Sequence, residues 1–157
     1  MEPSTRIPTR IPGELMDLRR RRAELRESMG LLEDALAAPA GGGAVQWGER
    51  VHDAVADLSD DFIDHIVVTE GPDGLHHAIL SGALRLTNAV TALAAEHPNI
   101  TAEIAALSAA TEEPVDADRV EAVRERATHL LGHLARHRQR GADLIYEAYQ
   151  TDIGGGD

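Results

Sequence analysis

The sequence predicts an all-α protein, an up-down-up-down four-helix bundle. Four long stretches carry apolar residues at alternating spacings of three and four, the period that lets one face of a helix be buried. Aromatic residues make up only 3% of the 157 residues, a composition that disfavours a β-sandwich. The stretches are joined by short connections, which place successive long helices antiparallel around one core.

The first two helices are predicted at about 14–38 and from the end of a glycine-rich linker, 39–45, to residue 70. The apolar stripe of the first contains Leu15, Leu18, Leu25, Met29, Leu32 and Leu36, with Arg22 in its gap. The stripe of the second contains Val51, Val55, Leu58, Phe62, His65 and Thr69. The run Gly71-Pro72-Asp73-Gly74 should break or kink this helix, because proline and glycine are both unfavourable inside a helix.

The chain is expected to be helical again from Leu75 and to bend near Ser81-Gly82 into the third long helix. The third stripe contains Ala83, Leu86, Val90, Leu93, His97, Ile100, Ile104 and Leu107. A turn at 112–116 leads to the fourth, with Val120, Val123, Ala127, Leu130, Leu134, His137, Gly141, Leu144 and Ala148. The predicted organisation is therefore a flexible N-terminal arm at 1–13, one bundle at 14–151 and a glycine-rich tail at 152–157.

Charge and composition narrow the classes of function. The 27 acidic and 15 basic residues give a net charge of −12, which disfavours binding to nucleic acid or to an anionic membrane. No apolar stretch approaches the roughly 20 residues of a membrane span. The N-terminus has no apolar signal-peptide core, so a cytoplasmic protein is expected. Cysteine is absent, which excludes disulfides and thiolate ligands. The sequence does not indicate an oligomeric state.

Each of the last three helices carries one histidine in its apolar stripe, namely His65, His97 and His137. Antiparallel pairing places the three at similar levels, so they should form a polar layer across an aliphatic core. His133 precedes His137 by one helical turn, a spacing at which two imidazoles can bind one metal ion. Glu70 follows His65 by five residues, and the Gly71-Pro72 break could turn it toward the layer. By contrast, four other histidines are expected at surfaces or helix ends: His52, His76, His77 and His129.

These stretches resemble the hemerythrin-like family of cation-binding four-helix bundles, over roughly residues 14–150. The resemblance is carried by His65-Ile66-Val67-Val68-Thr69-Glu70, by Glu96-His97 and by His133-Leu134-Ala135-Arg136-His137. It is particularly similar to an actinobacterial branch with stretches like Thr69-Glu70-Gly71-Pro72-Asp73-Gly74-Leu75 and His137-Arg138-Gln139-Arg140-Gly141-Ala142-Asp143-Leu144.

The resemblance implies a non-haem iron centre of one or two ions. Its implied ligands are His65 and Glu70 from the second helix, His97 from the third and His133 or His137 from the fourth. Members of the family bind dioxygen or take part in iron, nitric oxide or peroxide chemistry. The first helix differs from the family, because Met16-Asp17-Leu18-Arg19 stands where a histidine ligand would be.

Two functions from different classes therefore remain open. The first is a hemerythrin-like protein that binds iron and a small diatomic or peroxide ligand. The second is a metal-free scaffold or regulatory module, in which the histidines form a buried network with Arg22, Glu70 and Arg138. Enzymatic use of the same pocket, such as peroxide breakdown, is a third reading, and no independent catalytic motif decides it.

Overall fold

The protein is an all-α four-helix bundle, as the sequence predicts. A computed structural model describes residues 13–72 and 74–151, and the predicted arm and tail lie almost wholly outside this range. The long helices are α1 (Gly13–Ala37), α2 (Ala44–Glu70), α4 (Thr87–Glu112) and α5 (Val120–Tyr146), and a short helix, α3 (Leu75–Gly82), follows α2. Single 3₁₀ turns at Leu84–Leu86 and Ala117–Arg119 lead into α4 and α5, and a π-helical turn, Glu147–Thr151, follows α5.

The predicted apolar stripes supply two separate buried clusters. The larger cluster joins α1, α2, α4 and α5 around side chains such as Leu32, Trp47, Leu58, Ile100 and Leu130. The smaller cluster lies toward the other end of the bundle, where α3 packs against the long helices through Leu18, Leu75, Ile79, Leu93 and Leu144. In every long helix one polar or charged residue interrupts the apolar stripe between these two clusters. These residues are Arg22, His65, His97 and His137. The polar layer therefore divides the core.

The break after α2 depends on glycine. A Cβ atom on Gly71 would lie 2.5 Å from the carbonyl oxygen of Val67, and one on Gly74 would lie 2.8 Å from that of Thr69. The Gly71 N–H makes the last helical hydrogen bond, to Val67 O at 2.9 Å, and the extended backbone of Gly71 (ψ 165°) then ends α2 directly after Glu70. The chain can then turn sharply into α3 without a steric clash.

No single helix within residues 13–72 and 74–151 is both long and apolar enough to cross a membrane. Two adjoining stretches, Ala44–Gly82 and Leu84–Glu112, meet those criteria only when taken together, with a bend of 113° between them.

Candidate metal centre

The three stripe histidines converge at one point in the core. His65 comes from α2, His97 from α4 and His137 from α5, and their exposed fractions are 6%, 2% and 1%. The Nε2 atom of His137 lies 3.2 Å from the Nε2 atom of His65 and 3.2 Å from that of His97. One ring nitrogen from each histidine lies within 4.8 Å of the other two, a grouping that could hold a metal ion. We call these three residues the histidine triad.

Aromatic contacts fix the orientation of the triad. The ring of Phe62, one turn before His65 on α2, stacks on the His65 ring at a centroid distance of 5.6 Å. The same ring meets His97 and His137 edge-on, at 5.7 and 6.3 Å. Phe62 itself is only 1% exposed, so it closes the triad off from solvent on the side of the larger apolar cluster. Rings held in this way cannot easily rotate away from one another.

Two carboxylates bind the outer nitrogens of the triad. His97 Nδ1 lies 2.6 Å from Glu70 Oε2, and His137 Nδ1 lies 3.2 Å from Glu96 Oε2. A carboxylate oxygen accepts, so each Nδ1 carries the hydrogen and donates it. In neutral imidazoles the two Nε2 atoms are then left with bare lone pairs, which face each other at 3.2 Å. That contact is repulsive unless something positive lies between the two nitrogens.

Two of the three nitrogen spacings match those around a bound transition metal ion. A metal with metal–nitrogen bonds of about 2.0 Å in tetrahedral geometry holds its ligand nitrogens about 3.3 Å apart. The two observed Nε2–Nε2 distances, 3.2 Å each, are close to that value. Hydrogen bonds from ligand imidazoles to carboxylates are also the usual arrangement around metal sites, because they fix the tautomer that leaves Nε2 free. Three imidazole nitrogens leave at least one coordination position open.

Glu70 contacts the triad at His97, on α4, and not at His65, the triad residue of its own helix. Five residues separate it from His65, so on α2 it lies well off the face of that histidine. It is the last residue of α2, and its side chain extends across to α4. The family resemblance implied Glu70 as a direct ligand, whereas in the structure its carboxylate lies on the outer nitrogen of His97.

His133 lies apart from the triad. Its Nδ1 is hydrogen-bonded to Glu103, and its Nε2 lies 3.9 Å from Glu96 Oε1. Glu96 therefore stands between His133 and His137, although the two histidines are one turn apart on α5. The His-x3-His spacing alone could not show this, because the carboxylates that separate the two imidazoles come from α4.

Two contributors to the site were not in the predicted set. Glu96 binds His137 Nδ1 and also forms an ion pair with Arg140. The sequence feature that could have indicated Glu96 is its position directly before His97, on the side of α4 that faces α5. His76 was expected at a surface or a helix end. It lies at the start of α3 but is only 6% exposed, and its ring stacks on His97 at 6.2 Å with an interplanar angle of 8°. Its burial was not predicted, because α3 packs onto the end of the bundle and covers it.

Burial favours the neutral form of His65 and His137. The pKa of His65 is lowered to about 3, chiefly by loss of hydration and then by the nearby His137, His97, Arg22 and His76. The pKa of His137 is also lowered to about 3, chiefly by burial and then by His97, His133, His76 and Arg22. Neutral imidazole is the form that binds a metal, so both residues are available as ligands well below neutral pH. Only one ring nitrogen of the triad, His65 Nδ1, is buried without a partner.

The part of the chain that the structure describes contains one further grouping with metal-ligand geometry, formed by Glu24, Asp61 and Asp64 between α1 and α2. These carboxylates are only partly buried. Arg21 Nη1 binds Glu24 Oε2 at 3.0 Å and Asp64 Oδ2 at 2.9 Å, and Ser28 donates to Asp61. These contacts with Arg21 and Ser28 explain why the three carboxylates lie close together.

The fold and the site together define a class: a four-helix bundle with a buried histidine triad suited to one metal ion. Comparison with known proteins assigns no family, since no family model, curated protein or solved structure matches the chain. The geometry of the triad and its partners is therefore the basis for a function.

Proposed function

We propose that this protein binds one transition metal ion through the Nε2 atoms of His65, His97 and His137. The observation that carries the proposal is the pair of bare lone pairs on His97 and His137, which face each other at 3.2 Å because both Nδ1 hydrogens are bound to carboxylates. A cation at the centre of the triad would turn this repulsion into coordination. One ion is proposed because Glu70 and Glu96 are engaged with histidine nitrogens.

Iron is the metal that we propose, and the protein is proposed to act as a hemerythrin-like protein. Neutral imidazole suits iron as well as zinc, copper and nickel, so the ligand set alone does not select one of them. Iron is favoured by the resemblance of the histidine-bearing stretches to that family. A small ligand such as dioxygen, peroxide or nitric oxide would bind at the open coordination position of the metal.

The surrounding residues have separable roles in this proposal. Glu70 and Glu96 hold His97 and His137 in the tautomer that presents Nε2 to the metal. Phe62 excludes water from one side of the triad and restrains the rings. Arg140 forms an ion pair with Glu96 and so holds that carboxylate in place.

Metal content tests the proposal directly. The purified chain, expressed with added iron, should contain one ion per chain by elemental analysis, and His137→Gln should contain none. His77→Gln is the matched control, because His77 lies one residue after the buried His76 but is exposed. The proposal fails if the wild-type chain takes up no stoichiometric iron, zinc or cobalt, or if His137→Gln retains as much metal as His77→Gln.

The second candidate function is a metal-free scaffold whose polar layer is a hydrogen-bond network. The observation that favours it is that all three triad histidines lie within hydrogen-bond distance of another residue in this structure. Without a metal, a proton between the Nε2 atoms of His97 and His137 would be needed to remove the lone-pair repulsion. Nitrogen NMR of the imidazoles would show that proton, and a chelator would leave the melting temperature unchanged.

A further inference from the structure

Three arginines gather on one side of the triad without a carboxylate partner. Arg22 and Arg26 lie one turn apart on α1, and Arg138 lies beside the triad residue His137 on α5. Arg22 Nη2 donates to the backbone carbonyl of Arg138 at 3.3 Å, which joins the two helices. Within residues 13–72 and 74–151, none of these three guanidinium groups forms an ion pair with an acidic side chain. We call them the arginine cluster.

Arg22 and Arg138 differ from the other half-buried arginines in the described part of this acidic chain. Arg21 and Arg124 are also half-buried, and both have acidic partners: Arg21 pairs with Glu24 and Asp64, and Arg124 pairs with Glu121. Like charges that lie close together and partly buried are unfavourable, unless an opposite charge compensates them. In the arginine cluster the described residues supply no such charge.

The guanidinium groups also have donor capacity to spare. Arg22 uses one N–H, on the Arg138 carbonyl, and Arg138 Nε is buried without a partner. Burial and the charge of Arg138 lower the pKa of Arg22, and burial and the charge of Arg26 lower that of Arg138. The absence of a side chain at Gly141 makes room for this arrangement, since a Cβ atom there would lie 3.3 Å from Arg22 Nη1.

We propose that the arginine cluster is a binding site for a small oxyanion, held between α1 and α5 by Arg22 and Arg138 with support from Arg26. Planar guanidinium donors match the paired oxygens of phosphate and carboxylate groups, and they do so as bidentate hydrogen bonds. An anion here would satisfy unused donors and compensate the charge at once. The proposal does not depend on metal binding, because the cluster is positively charged whether or not the triad holds an ion.

The test is anion binding to the metal-free full chain, kept in an uncharged chelator that cannot itself occupy an anion site. Inorganic phosphate and sodium formate are titrated by calorimetry at constant ionic strength with chloride as the balancing ion. The wild-type chain should bind phosphate, formate or both. Arg22→Gln should weaken that binding about tenfold or more, as loss of a charged hydrogen-bond donor does. Arg22→Lys keeps the charge but loses the planar fork of donors. Its anion affinity should lie between those of the wild type and Arg22→Gln.

Arg50→Gln is the matched control, because Arg50 is an exposed arginine near the start of α2, far along that helix from His65. It should bind the anions as the wild type does. Arg26→Gln removes an exposed side chain and should leave the fold intact, so its weakened binding would support the proposal even if a substitution at Arg22 unfolded the chain. The proposal is overturned if the wild type binds neither anion beyond the chloride baseline, or if Arg26→Gln and Arg50→Gln weaken binding equally.

Failure of this proposal is distinguishable from failure of the metal proposal. Anion binding that is present in chelator and lost in Arg22→Gln supports the arginine cluster whatever the metal content. Metal binding with no anion binding overturns only the arginine cluster.

Discussion

The two sides of the histidine triad differ in how their polar groups are satisfied. On the carboxylate side, Glu70 and Glu96 accept from the outer nitrogens of His97 and His137. On the arginine side, Arg138 Nε is buried with no partner, and the His65 Nδ1 atom of the triad also has none. The carboxylate side is complete in this structure, and the arginine side has donors and positive charge in excess.

This difference assigns two properties, the affinity for a cation and the choice of a second ligand, to different sides of the triad. The carboxylate side orients nitrogen lone pairs, so it should determine whether a cation binds and how tightly. The arginine side repels a cation and attracts an anion, so it should determine which second ligand accompanies the cation. Substitutions on the two sides should therefore have opposite effects on metal affinity.

The largest effect should come from the triad itself. His97→Ala removes one of three proposed ligands and leaves Glu70 without its donor, so metal affinity should fall by more than about 100-fold, the upper end for loss of an outer partner. Competition with a chromophoric chelator measures the change in affinity. Retention of wild-type affinity would show that His97 is not a ligand.

The next effect should come from the carboxylate side alone. Glu70→Gln keeps an acceptor for His97 Nδ1 but removes the charge, and metal affinity should fall about 10- to 100-fold. Glu103→Gln is the matched control, because Glu103 binds His133, which lies outside the triad. The same chelator competition should give wild-type affinity for the control. Equal losses in both variants would mean that the effect is a general one of surface charge.

The pH dependence of stability should report the burial of the triad. His65 and His137 have pKa values of about 3 in the folded metal-free chain, against about 6.5 when unfolded, so only the unfolded state takes up protons between these values. The free energy of unfolding should therefore be fully retained above pH 6.5 and should decrease as the pH falls toward 3. Each histidine contributes a slope of up to about 1.4 kcal/mol per pH unit.

Urea unfolding at a series of pH values, in chelator, measures that slope. His137→Gln should reduce it, and His129→Gln should not, since His129 is exposed. A stability that stays flat between pH 6.5 and 4 in the wild type would contradict the burial of neutral imidazoles.

A smaller effect of opposite sign should come from the arginine side. Arg22→Gln removes a positive charge that acts on both His65 and His137, so metal affinity in anion-free buffer should rise several-fold, up to about tenfold. Chelator competition with and without added formate measures it, with Arg50→Gln as the control. A loss of metal affinity in Arg22→Gln would show that Arg22 supports the metal site instead of opposing it.

The smallest effect should come from the backbone beside the arginine cluster. Gly141→Ala should stabilise α5 by about 0.5–1 kcal/mol, because alanine is the better helix former and Arg22 Nη1, at 3.3 Å, is the end of a flexible side chain. Gly132→Ala is the matched control, because a Cβ atom at Gly132 would lie 3.4 Å from Arg136 Nη1, again the end of a flexible side chain. Both should raise the thermal midpoint, but only Gly141→Ala should also weaken anion binding, since only it moves Arg22.

The sequence predicts the fold well because the apolar period is long and consistent in each helix. The same period places His65, His97 and His137 in the core, and their meeting follows from antiparallel packing. The roles of Glu70, Glu96 and His133 could not be predicted in this way, because each depends on which side chain of a neighbouring helix lies opposite. The burial of His76 could not be predicted either, since the packing of α3 depends on the bend after Glu70.

The division of the core by the polar layer has a consequence for how the molecule opens. The larger apolar cluster joins all four long helices, whereas the smaller one depends on α3 and on the ends of α1, α4 and α5. Few apolar contacts cross the layer, so the smaller end can unfold locally while the larger end stays intact. A metal ion bound by α2, α4 and α5 would fasten these helices at the boundary, and amide hydrogen exchange at that end would slow when the metal binds.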